Sequence, residues 1–278
     1  MELPYTFLGL TSSYSQAKVV ILPVAYDSTS SYMPGARFGP SSIILASRFL
    51  ETYDEILKVD LERLGIFTAD EVWPDLKSPK RAIFEIERIA ERFLKDRKFL
   101  LTLSGEHSIT IGLVRAHQKV FTDLSVLYID GHLDFRPSFQ GTEYNHACVL
   151  YQIKKLGIPL VACGIRSMSR EEEILSRKLS LDFYSEKNIQ EKGKKLAKEV
   201  KKGLNEKVYI SIDLDVLNPS IMPEVGNPEP GGLSFLELTS FLREAIEGKD
   251  IVGFDVVELS PSSFQQPSSL LAAKLSIY

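Results

Sequence analysis

Asp130, His132 and Asp134 stand at alternate positions directly after the apolar run Val126, Leu127, Tyr128 and Ile129. Alternate side chains of an extended chain share one face. The segment therefore reads as the end of a buried strand that turns two carboxylates and an imidazole the same way. Similar endings recur: FLLTLSGEH finishes in His107, VYISIDLD in Asp213 and Asp215, and VGFDVVE in Glu258. If these strands are neighbours, their tips meet in one crevice, where open α/β sheets bind ligands. Carboxylates crowded in this way either take up protons or hold cations. Asp130, Asp134, Asp213 and Asp215 carry four negative charges, which two divalent ions neutralise. A shell of carboxylate and imidazole without thiolate fits Mn²⁺ better than Fe²⁺ or Zn²⁺.

Each residue taken alone has a plainer use. An isolated Asp after a strand is commonly a turn or cap residue, and an isolated His a satisfied structural group. The joint pattern resists that account: the chain has four histidines, and two of them end separate predicted strands beside acids. A two-metal centre supplies a water nucleophile near neutral pH, so hydrolysis is the natural chemistry. Glu258 is then a spare anion beside a neutralised cluster, suited to a guanidinium, which a carboxylate grips through paired hydrogen bonds. His146, in YNHACVL, is either a proton donor to a departing amine or a structural residue at a helix start. The residues alone leave both open.

The elements that must carry these tips alternate along the chain. The periodicity predicts helices over 80–96, 108–119, about 147–156, 170–178 and 234–248, with Ala82, Ile86, Ile89 and Phe93 as the apolar stripe of the first and Ser108 as N-cap of the second. Strands are predicted at 99–103, 125–130, 160–165, 207–213 and 251–258. This β-α-β-α rhythm implies a parallel sheet with helices on both faces, an α/β fold. The lysine-rich stretch 191–202 mixes both charge signs and reads as a solvated helix face. The Pro/Gly-rich stretch 218–233 lies between a strand and a helix and reads as a functional loop. We expect one domain over residues 1–278.

Bulk properties exclude several classes. The 278 residues are 44% hydrophobic and 25% charged, with a net charge of −4, so a nucleic-acid surface, which is basic, is not expected. Cys148 and Cys163 cannot form a disulfide framework, the first ten residues do not read as a signal peptide, and apolar runs are too short to span a bilayer. A cytoplasmic protein with no membrane partner is the expectation.

Several spaced motifs resemble the ureohydrolase family of arginases and agmatinases, in the same order and over nearly the whole chain: VAYDSTSSYMPGARFGPSSI, SGEHS, DGHLDFR, SIDLDVLNP, GNPEPGGL and DVVELSP. The resemblance implies a three-layer α/β/α sandwich on a parallel sheet, arginase-like, assembled as a homotrimer or homohexamer. It implies two Mn²⁺ per chain, one held by His107, Asp130, Asp134 and Asp213, the other by Asp130, His132, Asp213 and Asp215. It also implies Glu258, His146 and Asn227 as substrate-binding residues, with His146, Asp134 and Glu258 catalytic. YNHACVLYQ, GIRSMSREEE and GNPEPGGL look most like agmatinases of bacteria and archaea, whereas 136–145 does not resemble the arginase segment. The implied activity is cleavage of agmatine to putrescine and urea, a step of polyamine biosynthesis. Related substrates are N1-aminopropylagmatine, arginine, guanidinobutyrate and formiminoglutamate. Rival readings are a mononuclear zinc deacetylase and a non-catalytic binding subunit.

Departures from the family pattern are Ser104 and Gly131, for the commoner Gly and Ala, and PEVGNP for PGTGNP. Glu224 either places an extra anion near the pocket, favouring a longer polyamine-like cation, or points into solvent. In PGARFGPSSI, Pro40 suits a first helical turn, and Arg37 reads as an internal anchor.

Overall fold

Most central strands of this chain are apolar at consecutive positions, as a parallel sheet covered on both faces requires. The computed structural model describes residues 4–54, 58–264 and 266–278. Its elements run β1 (Val19–Val24), α1 (Gly39–Ser47), β2 (Tyr53–Asp54), β3 (Val59–Asp60), β4 (Ile66–Thr68), α2 (Pro79–Lys95), β5 (Phe99–Ser104), α3 (Thr110–Val120), β6 (Leu124–Ile129), α4 (Val149–Lys154), β7 (Leu160–Ile165), α5 (Arg170–Lys178), β8 (Asp182–Ser185), α6 (Glu186–Lys192), α7 (Lys194–Gly203), β9 (Lys207–Asp213), α8 (Phe235–Ile246), β10 (Asp250–Val257) and α9 (Pro267–Leu275). Eight strands form one parallel sheet in the order β4-β1-β5-β10-β9-β6-β7-β8, and β2 and β3 make a separate antiparallel pair.

Side-chain alternation along the strands splits the interior into two cores. Ile21, Leu101, Leu103, Leu127, Ile129, Ile210 and Ile212 pack with residues of α1, α6, α7, α8 and α9. Val20, Leu22, Leu100, Val126, Tyr128 and Tyr209 pack on the other face with residues of α2, α3 and α4. The result is the α/β/α sandwich expected from the sequence. Among the described residues no helix is long and apolar enough to cross a membrane.

Local differences from the expectations have physical causes. Ser108 does not cap α3: the chain enters that helix through a 3-10 turn at His107–Ile109, and the Ser108 hydroxyl donates to Glu106 instead. The stripe of α2 is rotated, with Ile83, Ala90 and Leu94 buried and Ile89 and Phe93 only partly so. The lysine-rich helix is broken at Gly193, whose φ of 46° ends α6 before α7 begins. Arg37 is an anchor as expected, ion-paired with the buried Asp27 ahead of α1.

The topology positions the site. The strands β5, β10, β9 and β6, whose ends carry His107, Glu258, Asp213 and Asp130, are four consecutive neighbours. Ile129 and Val256 both pair with Ile212, so the polar tips emerge at nearly one level.

Candidate functional site

Beyond these strand ends lies a cavity of about 310 Å³, lined by His132, Asp134, Asp213, Asp215, Asn227, Glu258 and His146, among others. His107 and Asp130 lie behind the lining residues Asp134, Asp213 and His132 and are almost completely buried, at 1% and 0% exposure. Nδ1 of His107 lies 3.1 Å from Asp130 Oδ2, 3.1 Å from Asp213 Oδ2 and 3.8 Å from Asp134 Oδ2. On the other side of Asp130, His132 Nδ1 is 2.7 Å from Asp215 Oδ2 and 3.8 Å from Asp130 Oδ1. His107, Asp130 and Asp134 form one group whose ligand atoms lie within 4.8 Å of one another, and Asp130, His132 and Asp215 form a second. Each group could hold a metal ion, and Asp130 belongs to both.

Hydrogen-bond polarity tests whether a cation fits. Tyr209, Ser211 and Thr110 donate to the carboxylate of Asp255 at 2.5, 2.7 and 3.0 Å. With its proton committed to Asp255, the Ser211 hydroxyl accepts from His107 Nε2–H at 2.9 Å. The Nδ1 lone pair of His107 then faces the oxygens of Asp130 and Asp213. Lone pair against carboxylate is repulsive unless a proton or a metal cation lies between them, and a hydrogen bond behind an imidazole presents the other nitrogen to a metal. Asp130 Oδ2 is buried without a hydrogen-bond donor, and a cation would satisfy it.

The electrostatics agree. Burial, followed by neighbouring charges including carboxylates, pushes Asp130, Asp134 and Asp213 well above the usual carboxylate range. Burial alone would lower the pKa of His132, but the charges of Asp215, Asp130 and Asp134 raise it to about 10. Without a cation the site therefore holds protons that it would surrender to one.

Two site residues have left-handed backbones. Asp134 and Glu258 adopt φ of 48° and 69°, left-handed values that Asp tolerates, so the strain falls on Glu258. Glu258 Oε1 accepts the His107 N–H at 2.7 Å. His146 stands on the pocket wall, its Nε2 3.2 Å from Ser31 Oγ. Burial pushes its pKa down to about 4. The Asn227 amide nitrogen lies 3.1 Å from His132 Nε2.

Glu224 matches neither sequence expectation. Its Oε1 accepts from the backbone and hydroxyl of Ser262, and it does not line the cavity, whereas Glu229 does, with Oε2 4.0 Å from His132 Nε2. The loop bearing Glu229 is held by Arg166, which donates to the carbonyls of Asp215, Val216, Glu229 and Pro230. Gly131 makes room for that clamp, because a Cβ there would lie 2.6 Å from Arg166 Nη1. Sequence reasoning also missed Asp255, Ser211 and Tyr128, whose hydroxyl donates to Asp134 at 2.9 Å. Asp255 had a signal: an acid inside the run GFDVV is a buried charge that must find partners.

An eight-stranded parallel sheet with paired acid–imidazole groups at its rim defines a class, an α/β protein with two groups that could hold metal ions. Comparison narrows it. The arginase family model matches residues 17–278, and the chain belongs to that family. It is 40% identical over 262 residues to the N(1)-aminopropylagmatine ureohydrolase of Thermus thermophilus, covering 94% of this chain and 89% of that one. It is 35% identical to the agmatinase of Pyrococcus horikoshii, covering 100% and 94%. The crystal structure of the agmatine ureohydrolase of Thermoplasma volcanium superposes with a TM-score of 0.87 at 33% identity, covering 99% of this chain and 92% of that one. The protein is an amidino hydrolase of the ureohydrolase type.

Proposed function

We propose that this enzyme releases urea from the terminal guanidinium of a cationic aminoalkylguanidine, with N1-aminopropylagmatine as the preferred substrate and agmatine the second. The observation that carries the reaction is the convergence of His107, Asp130, His132, Asp134, Asp213 and Asp215 on one another beside a cavity lined by four of them and by Glu258. His107, Asp130, Asp134 and Asp213 would hold one Mn²⁺, and Asp130, His132, Asp213 and Asp215 the other. When bound, the ion pair supplies a water-derived nucleophile at neutral pH.

The remaining work belongs to the chain. Glu258 receives the guanidinium, and its strained backbone keeps the carboxylate aimed into the cavity. Asp134 Oδ2, on the cavity wall, takes the proton shed by the attacking water. His146 Nε2 gives a proton to the departing amine nitrogen as the carbon–nitrogen bond breaks, leaving urea and a free amine. Asn227 lies beside His132 at the mouth and lines the substrate path.

The choice of substrate rests on two things. The sequence places agmatine first, whereas the relative at 40% identity acts on the longer cation according to its name. Glu229 adds a carboxylate to the wall, and a second or third ammonium on the substrate tail would find an anion there. We carry a single catalytic unit over residues 1–278, a homotrimer or homohexamer and a cytoplasmic setting as parts of the same proposal.

The test is a urea-release screen on Mn²⁺-loaded protein with N1-aminopropylagmatine, agmatine and arginine. The highest kcat/KM is expected for the first, with agmatine next and arginine far behind. Release of urea from none of these, or from arginine best, overturns the proposal.

A further inference from the structure

His146 is gripped from behind by a hydroxyl, and that hydroxyl is gripped by a buried carboxylate. Glu106 is fully buried, at 0% exposure. It accepts from the Thr29 N–H at 2.6 Å, from the Thr29 hydroxyl at 2.5 Å and from the Ser108 hydroxyl. Its own N–H binds the carbonyl of Tyr26 at 2.7 Å, so the segment from Tyr26 to Thr29 is tied to Glu106 at both ends. Across the cavity wall, Asn145 caps the turn at His146–Cys148 by accepting from Ala147 N–H. The N–H of His146 is thereby left to Thr29 Oγ1, at 3.2 Å. The imidazole Nδ1 of His146 lies 3.3 Å from the same oxygen.

A threonine hydroxyl has one proton to donate and two lone pairs to accept with. The proton of Thr29 goes to the Glu106 carboxylate. Both lone pairs are then acceptors, one for His146 N–H and the other for Nδ1. Only a protonated Nδ1 satisfies that geometry.

We infer that Thr29, held by Glu106, fixes the neutral His146 ring with its proton on Nδ1 and its lone pair on Nε2, the nitrogen that faces the substrate. Thr29 is a positioning residue. It touches no reacting atom, but it decides which nitrogen of His146 is free. Ser31, at 3.2 Å, donates to that free Nε2 when the ring is neutral. When Nε2 gains the proton that the attacking water shed to Asp134 and passes it to the leaving amine, the ring returns to the neutral form carrying Nδ1–H. That is the form Thr29 holds, so the Nδ1 proton never moves and the ring need not flip. The catalytic role rests on the proposed function of His146, but the tautomer does not.

Neutron diffraction on deuterium-exchanged crystals of the Mn²⁺-loaded protein at pD 8 locates the protons directly. The wild-type protein and Thr29→Ser are expected to carry deuterium on His146 Nδ1 and none on Nε2. Thr29→Val removes the acceptor and is expected to move it to Nε2. Urea release by Thr29→Val should fall about ten- to a hundredfold in kcat, with KM changed less than about threefold, a part of the roughly 10²–10⁴-fold that a positioned general acid contributes. Thr29→Ser should keep at least about half of kcat. Deuterium on Nε2 alone in the wild-type protein overturns the inference, and that measurement stands even if Thr29→Val does not fold. An unchanged tautomer in Thr29→Val overturns it too. If the tautomer is found on Nδ1 and no guanidine yields urea, the assignment to Thr29 is upheld and the proposed function fails.

Discussion

Glu258→Gln separates charge from shape at the proposed guanidinium site. Glu258 leaves the end of β10 with φ of 69°, a conformation that costs a residue of this type about 1–3 kcal/mol. The substitution leaves that backbone alone and preserves one contact, because an amide oxygen can accept the His107 N–H that Oε1 accepts at 2.7 Å. What disappears is the carboxylate charge, which burial disfavours until a cation such as the guanidinium stands beside it. Truncating one partner of a desolvated charge pair costs about 2–5 kcal/mol, which is roughly thirtyfold to several-thousandfold in kcat/KM. Glu258 is not among the six side chains proposed to hold the ions, so metal content should not change, and the melting temperature should stay within about 2 °C of wild type, as a ΔΔG of about 0.5 kcal/mol would give. The assay is initial-rate urea release at saturating Mn²⁺, with metal per chain measured on the same sample. A kcat/KM within about threefold of wild type, at equal metal content, would refute the role given to Glu258.

Three further outcomes are expected. Asp213→Ala removes an oxygen 3.1 Å from His107 Nδ1 and the acceptor of the Asp215 N–H at 2.8 Å; metal analysis should show fewer than two ions per chain and urea release should vanish, and full retention of both ions would contradict the ligand assignment. Glu229→Gln should lower kcat/KM for N1-aminopropylagmatine by roughly fivefold, as loss of a partly exposed charge pair worth about 1 kcal/mol predicts. A simple alkylguanidine should be unaffected, and an equal loss for both would deny Glu229 a part in reading the tail. His117, buried with Nδ1 at 2.8 Å from the Leu113 carbonyl, has its pKa pushed down by burial from 6.5 to about 4. The unfolded chain then binds the proton more readily, so this contribution to stability is complete above pH 6.5 and is lost as pH falls from about 6.5 to about 4, for a total of about 3 kcal/mol. Urea denaturation should show a shallower acid slope in His117→Gln over that window, and identical slopes would show that His117 titrates normally.

The strand ends were legible because chemistry and periodicity coincided there. Asp130, His132 and Asp134 follow an apolar strand at a spacing of two, and His107, Asp213, Asp215 and Glu258 end strands whose cores are unmistakably apolar. The five predicted strands and five predicted helices fell within a residue or two of their bounds, since burial leaves a strong hydrophobic record, but the interior strand β1 (Val19–Val24) was not predicted. Edge strands left little trace: β4 spans Ile66–Thr68, and β8 spans Asp182–Ser185 and is half exposed. Ser108 misled because a hydroxyl before a helix is a good cap only when no nearby carboxylate competes for its proton, and Glu106 does.

By itself the sequence determined which side chains could bind metal, that they end separate strands, and that those strands build a parallel sheet, because all three are written in local residue order. Only the tertiary structure decided that β5, β10, β9 and β6 are adjacent, that Glu229 rather than Glu224 faces the cavity, and that Asp255 and Glu106 stand behind His107 and His146. These depend on contacts between residues far apart in the chain. The direction in which a hydroxyl gives its one proton is set by its neighbours in space, and local periodicity carries no record of them.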